Sequence, residues 1–272
     1  MSVRRSDSPI SRPSLNTSQP GFIVLPGTFA DDDLADLRDA ADVALQRMLA
    51  EACHADAEQT TAVWPDGHRL QELAGTTIHW EPDAPDPVIR SLSPVTHLDP
   101  RLDALWTDAR LTEPMCELLE ANEVGPFTSG LNLKKAGVGS EFRWHQDYTF
   151  WHCCSGPRAR EIASALIFLD DAEADNGPLC LLPGSHLCGP LPRDPADPTG
   201  QLADQSLIED SDAVTIIVDA GSVLMFSALL LHRSPPNRSR KDRRALRLCF
   251  QPAGRPALQE LRYDERRLAE LP

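Results

Sequence analysis

Apolar positions along this chain change period near residue 125. Upstream, DDDLADLRDAADVALQRMLAEA (31–52) carries Leu34, Leu37, Ala41, Leu45 and Met48 on one helical stripe. Its three leading aspartates suit the positive end of a helix dipole. GFIVLPG (21–27) before it reads as a short strand. A second helical region spans 100–122 and is interrupted near Pro114, whose ring lacks a donor N–H. Residues 31–122 thus read as helical support. Downstream the pattern breaks into short runs: FTSGLNLKK, EFRWHQDYTFW, IASALIFLDD, PLCLLPG, AVTIIVD, SVLMFSALLLH and RALRLCFQP. Asp175-Asn176-Gly177 and Asp219-Ala220-Gly221 mark turns between them. Many short strands after helices predict a β-rich α+β fold: a double-sheet jelly roll over about 125–255 with flanking N-terminal helices.

Two segments fall outside this pattern. Residues 1–19 are rich in Ser, Pro and Arg and poor in apolar groups, which predicts a mobile tail before a single domain over 20–272. Residues 189–212 are polar and proline-bearing without periodicity, the texture of a lid over a site or of a disordered loop. No internal repeat is visible.

Composition narrows the function classes. The chain has 272 residues, 41% hydrophobic and 25% charged, with a net charge of −15. That balance fits a soluble domain with a core. It disfavours a nucleic-acid partner, which requires a basic surface, and docking on an anionic membrane. No run is long enough to span a bilayer, and MSVRRSDSPISRPS has no apolar signal core, so a cytoplasmic location is expected. Seven cysteines without a C-x-x-C pair read as free thiols in a reducing compartment. Oligomeric state is not legible.

The chemistry gathers around WHQDYTFWH (144–152). His-x-Asp occurs three times, at 54/56, 97/99 and 145/147. Side chains at i and i+2 converge on a strand and diverge on a helix. His54 closes the first helix, and Asp99 before Pro100 looks like a helix N-cap. Only His145 and Asp147 lie in a strand-like run, where 145, 147, 149 and 151 share a face. His152, His186 and His232 are available as further ligands. Two imidazoles and one carboxylate form the facial triad of non-haem Fe(II) oxygenases, which leaves positions open for a cosubstrate and dioxygen.

Several ordered motifs resemble those of the phytanoyl-CoA dioxygenase family of Fe(II)/2-oxoglutarate enzymes. They are WHQD (144–147), DNGPLCLLPGSH (175–186), and the His232-x-Ser234 to Arg243 segment. EFRWHQDYTFWH also resembles a stretch of ectoine hydroxylases, although Gly130 stands where that branch carries arginine. The resemblance implies a double-stranded β-helix of cupin type with Fe(II), 2-oxoglutarate and O2. It implies that His145, Asp147 and His232 are iron ligands. Arg243 then holds the distal carboxylate of 2-oxoglutarate, with Ser234 beside it and Asn132 helping to seat the cosubstrate. Arg240, Arg244 and Arg247 compete with Arg243, but alternation puts Arg243, Ala245 and Arg247 on one face and turns Arg244 away. Trp151 and Arg247 are candidate substrate contacts. Halogenating relatives replace the triad carboxylate with Ala or Gly, so Asp147 favours hydroxylation.

The reading is therefore a dioxygenase that hydroxylates an unactivated C–H bond of a small molecule, in keeping with specialised-metabolite biosynthesis. Desaturation, epoxidation or ring closure would use the same cofactors. A non-catalytic jelly-roll binding protein and a cupin-type metal hydrolase or isomerase are the alternatives from other classes.

Overall fold

The computed structural model describes residues 20–54, 61–63, 69–82, 84, 86–197 and 200–260. The tail expected over 1–19 lies outside them. Thirteen strands appear among the described residues. They are β1 (Phe22–Leu25), β2 (Thr61–Val63), β3 (Arg69–Leu73), β4 (Thr76–Trp80), β5 (Ile89–Ser93), β6 (Val124–Lys134) and β7 (Phe142–His145). The remainder are β8 (Ala163–Phe168), β9 (Cys180–Leu181), β10 (Val214–Thr215), β11 (Val223–Ser227), β12 (His232–Ser234) and β13 (Arg243–Pro252). Four α-helices accompany them: α1 (Asp31–His54), α2 (Pro100–Asp103), α3 (Ala109–Leu118) and α4 (Asp147–Ser155).

The strands form two antiparallel sheets. The larger runs β1-β11-β8-β13-β6-β5-β4-β3-β2 and the smaller β10-β9-β12-β7. This is the jelly-roll (double-stranded β-helix) architecture that the strand texture predicts. β8 is buried at all six positions because both of its faces are covered. Ala165 and Ile167 join Leu246 and Leu248 of β13 in a core with Leu34, Leu37 and Met48 of α1. Leu166 and Phe168 point the other way and meet Phe226, Leu181 and Ala245 between the sheets. Each fully buried Leu or Phe stabilises the fold by about 1.5–3 kcal/mol. These large side chains fix the register that aims the site.

α1 follows the expected stripe, with Leu34, Leu37, Ala41 and Met48 buried and Leu45 partly so. The helical region after residue 100 breaks at Asp108, whose carboxylate caps α3 by accepting from the Arg110 N–H, and not at Pro114. The helix continues through Pro114 to Leu118.

Two expectations are corrected. Residues 31–122 are not uniformly helical, because β2 to β5 extend the large sheet. Their hairpin turns at Ala74 and Gly75, both at positive φ, between LQEL and TTIHW. The strand expected over 141–151 ends at His145, and α4 begins at Asp147. Gln146 fixes that switch: its amide N–H groups donate to Gly189 O at 3.0 Å and Leu229 O at 2.6 Å, while its Oε1 accepts from the Leu191 N–H at 2.9 Å. Tyr148 and Trp151, at helical spacing, then bury together beside Phe127.

Residues 189–212, apart from the undescribed 198 and 199, form a seated loop. Leu202 bridges His145, the Ala203 N–H donates to Trp144 O, and Gln205 Nε2 reaches Trp144 O at 3.0 Å. The segment covers the outer edge of β7, and none of its residues lines the triad cavity. No described helix is long and apolar enough to cross a membrane. All seven cysteines are free.

Candidate active site

His145 ends β7, His232 begins β12, and the two face each other across the ladder. Asp147 opens α4 immediately beyond Gln146. His145 Nε2 lies 3.9 Å from Asp147 Oδ1, and His232 Nε2 lies 3.7 Å from the same oxygen. One potential ligand atom from each of the three falls within 4.8 Å of the others. Sequence placed His145 and Asp147 on one strand face; the structure brings them together through a strand-to-helix switch.

The other two His-x-Asp pairs are accounted for differently. Asp99 caps α2 by accepting from the Arg101 N–H, with Pro100 at the first helical position. The Arg101 guanidinium beside Asp99 holds its carboxyl below the usual range. His54 turns its Nδ1 back onto Ala50 O at the end of α1, and Asp56 is outside the described residues.

Backbone carbonyls set both imidazoles. His145 Nδ1 is 2.7 Å from Arg143 O, and His232 Nδ1 is 2.9 Å from Leu230 O. A carbonyl only accepts, so each Nδ1 donates to it, which turns each Nε2 toward the cluster as the atom a metal would take. Ser164 of β8 donates its hydroxyl to Asp147 Oδ2 at 2.9 Å, which leaves Oδ1 toward the histidines. Burial, with His232 adding to it, pushes the His145 pKa down to about 3, so the ring is neutral near pH 7. For Asp147 burial acts upward, but His232, Arg247, His145 and the Ser164 hydroxyl outweigh it and hold the carboxyl low. A neutral His145 imidazole and an ionised Asp147 carboxylate are the states in which these two groups can take a divalent cation.

The triad opens into a cavity between the sheets. It is lined by Asn132, Lys134, Phe142, Leu166, Leu179, Phe226, Ser234, Arg243 and Arg247 as well as the triad. Arg243 is buried, its Nη2 donates to Gly177 O at 2.5 Å, and its Nε has no protein partner among the described residues. Burial lowers its pKa to about 10, still a cation near pH 7. A buried guanidinium with an unused donor beside a cavity fits a carboxylate guest. Gly177, at φ +78, lets the loop approach this closely: a Cβ there would lie 2.7 Å from Pro235 O.

Ser234 and Asn132 also line the cavity. Arg244 turns outward to Asp170 at 2.9 Å and Asp42 at 2.7 Å. Trp151 does not line this cavity; it stacks edge-on against Phe127 with ring centroids 5.5 Å apart. The strand alternation that would have aimed Trp151 at the metal side stops at His145.

Three residues escaped the sequence reading. Lys134 is buried at the Arg243 end and donates to Ser140 O at 2.6 Å, Pro235 O at 2.7 Å and Ser234 O at 3.3 Å. Burial, then Arg243 and Arg90, push its pKa down to about 6, against the Glu81 and Glu141 carboxylates that favour the ammonium. A lysine in a run reading FTSGLNLKK alternates inward with Asn132, a signal available in the sequence. Ser164 and Phe142 lie on other strands, and nothing local marks them.

Comparison with known proteins decides the family. The phytanoyl-CoA dioxygenase (PhyH) family model matches residues 17–245. The chain belongs to the PhyH family. It is 30% identical over 248 residues to the ectoine dioxygenase of Sphingopyxis alaskensis, covering 85% of this chain and 72% of that protein. To the ectoine dioxygenase of Bordetella parapertussis it is 35% identical over 167 residues, 55% of this chain and about half (53%) of the relative's length. The crystal structure of EctD from S. alaskensis with 2-oxoglutarate and 5-hydroxyectoine matches with a TM-score of 0.64 at 26% identity. That match covers 92% of this chain and 79% of the other. Within this PhyH-family chain the matched region includes all three triad residues and Arg243.

Proposed function

We propose that this protein is an Fe(II)- and 2-oxoglutarate-dependent dioxygenase that hydroxylates an unactivated C–H bond of a small molecule. The observation that carries the reading is the convergence of His145, Asp147 and His232, with both Nδ1 atoms already engaged, on a cavity that also holds a buried Arg243. PhyH-family membership supports it.

When bound, iron and 2-oxoglutarate supply the oxidising power: dioxygen is consumed, the cosubstrate leaves as succinate and carbon dioxide, and one oxygen atom enters the substrate. The chain's own residues do the rest. His145, Asp147 and His232 would hold the metal through Nε2, Oδ1 and Nε2 and leave its remaining coordination positions open. Arg243 would take the distal carboxylate of the cosubstrate, with Ser234 and Asn132 beside it and Lys134 adding positive charge. Leu166, Leu179 and Phe226 form apolar walls that exclude water and strengthen each electrostatic contact. Asp147 occupies the position that a halide would need, which favours hydroxylation.

We place this single domain in the cytoplasm with a small-molecule substrate and no nucleic-acid partner, as the net charge of −15 favours. A role in specialised-metabolite tailoring fits the same reading. The test is aerobic incubation of purified protein with Fe(II) and 2-oxoglutarate. Succinate formation that stops when iron is chelated is expected; no succinate with metal loaded stoichiometrically contradicts the assignment.

A further inference from the structure

Arg247 lies on the cavity side of β13, two strand positions past Ala245 and four past Arg243. Four residues span roughly 13 Å at ~3.3 Å each, so the two arginines occupy different ends of the cavity. Arg243 is drawn to the Gly177 loop, where Lys134 also sits. Arg247 pairs across the sheet with Gly130 and Leu166. Its guanidinium lies over Gly130: an added Cβ there would stand 3.4 Å from Nη2 and 3.6 Å from Nε. The bare glycine leaves room for this side chain to fold along the strand.

Arg247 lacks a mate among the described residues. Its Nε is buried without a hydrogen-bond partner, and no ion pair within 4.0 Å reaches it among the described residues. Its charge acts on Asp147 and His145 from within the cavity. Once the proposed cofactors are in place, that electrostatic relief is withdrawn. An iron dication, the Asp147 carboxylate, a doubly charged 2-oxoglutarate, Arg243 and the Lys134 ammonium would carry one net positive charge even before Arg247 is counted. Arg247 then remains as a partly buried, unmatched cation with a free donor edge beside the reacting centre. Leaving such a group unpaired is costly, and a planar fork matches a carboxylate with two parallel bonds.

We propose that Arg247 is the residue that grips the primary substrate, and that this substrate is a small molecule bearing a carboxylate. The assignment deepens the dioxygenase reading and rests on it for the identity of the second ligand at the Arg243 end. Arg247 sets the orientation of the substrate, and its neighbour Asp147 places the metal side of the cavity beside it.

The experiment uses the full chain loaded with Fe(II) and 2-oxoglutarate under nitrogen. Common L-amino acids and short hydroxy and keto acids, each paired with its primary amide, are titrated calorimetrically. At least one acid binds tenfold or more tighter than its amide. Arg247→Met weakens that acid by about ten- to a hundredfold, while the affinity for its amide and for 2-oxoglutarate changes less than about threefold. Arg247→Lys, which keeps the charge without the fork, falls between and serves if the Met variant does not fold. A panel in which no acid is preferred over its amide, one with no binder included, overturns the proposal. So does an Arg247→Met variant that loses 2-oxoglutarate instead of the acid. Succinate formation by wild-type protein in air is measured in parallel; its absence sinks the dioxygenase reading while the calorimetry still reports on Arg247.

Discussion

His145 and His232 are direct partners in the β7–β12 ladder, with ring centroids 4.1 Å apart and planes inclined by 52°. Backbone pairing, and no long side-chain excursion, sets their separation. A site built on paired strands is rigid before any metal arrives. Asp147 completes it from the first residue of α4.

Removing one triad member tests that construction. His232→Ala and Asp147→Ala are expected to lose stoichiometric iron on desalting and to abolish succinate formation, with far-ultraviolet circular dichroism unchanged. Retained iron with full turnover in either variant contradicts the assignment.

Ser164 acts through Asp147. Its hydroxyl donates to Asp147 Oδ2 at 2.9 Å. Ser164→Ala is expected to weaken iron about ten- to a hundredfold, the usual effect of losing a partner of a metal ligand. The cost in fold stability is about 1 kcal/mol. Competition with a chelator measures the first and urea denaturation the second.

Arg243 predicts a cosubstrate defect of its own. Arg243→Met is expected to raise the KM for 2-oxoglutarate by tenfold or more, because a buried carboxylate would lose its charged partner. Arg244→Met removes an outward ion-pair network with Asp170 and Asp42 and is expected to leave that KM within about twofold. Steady-state succinate assays separate the two.

Lys134 gives a pH prediction. In the fold its proton is held only up to about pH 6, against an ordinary value near 10.5. The unfolded chain therefore binds more protons between these values, and the contribution to stability rises with pH across that window. A dianionic cosubstrate favours the ammonium, so its binding takes up a proton and weakens as pH rises above about 6. Calorimetry at pH 7.5 in buffers of different ionisation enthalpy is expected to show that uptake in wild-type protein and not in Lys134→Met.

Much of this was legible in the sequence, and the exceptions have physical causes. The α1 stripe and the jelly-roll texture follow from periodicity, which burial enforces directly. The family resemblance carried by the motifs around His145, His232 and Arg243 pointed to residues that the fold gathers at one cavity. Period alone misread residues 146–151: a run rich in aromatic residues suits a strand or a helix, and Gln146 decides through partners at 189, 191 and 229. Trp151 was misplaced for that reason. Strands β2 to β5 were missed because the LQELAGTTIHW hairpin is short and only its Ala74-Gly75 turn sets it apart. Ser164 meets Asp147 across 17 residues of chain, a contact that tertiary packing alone creates.

The central claim is that this triad takes up one ferrous ion and presents it to 2-oxoglutarate. Anaerobic titration of the metal-free protein with Fe(II), followed by 2-oxoglutarate, measures it through the visible charge-transfer absorption of the chelate. One equivalent of iron and a new visible band, both lost in His232→Ala, are the expected result. Wild-type protein that binds iron without developing the band, or a variant that keeps it, contradicts the account.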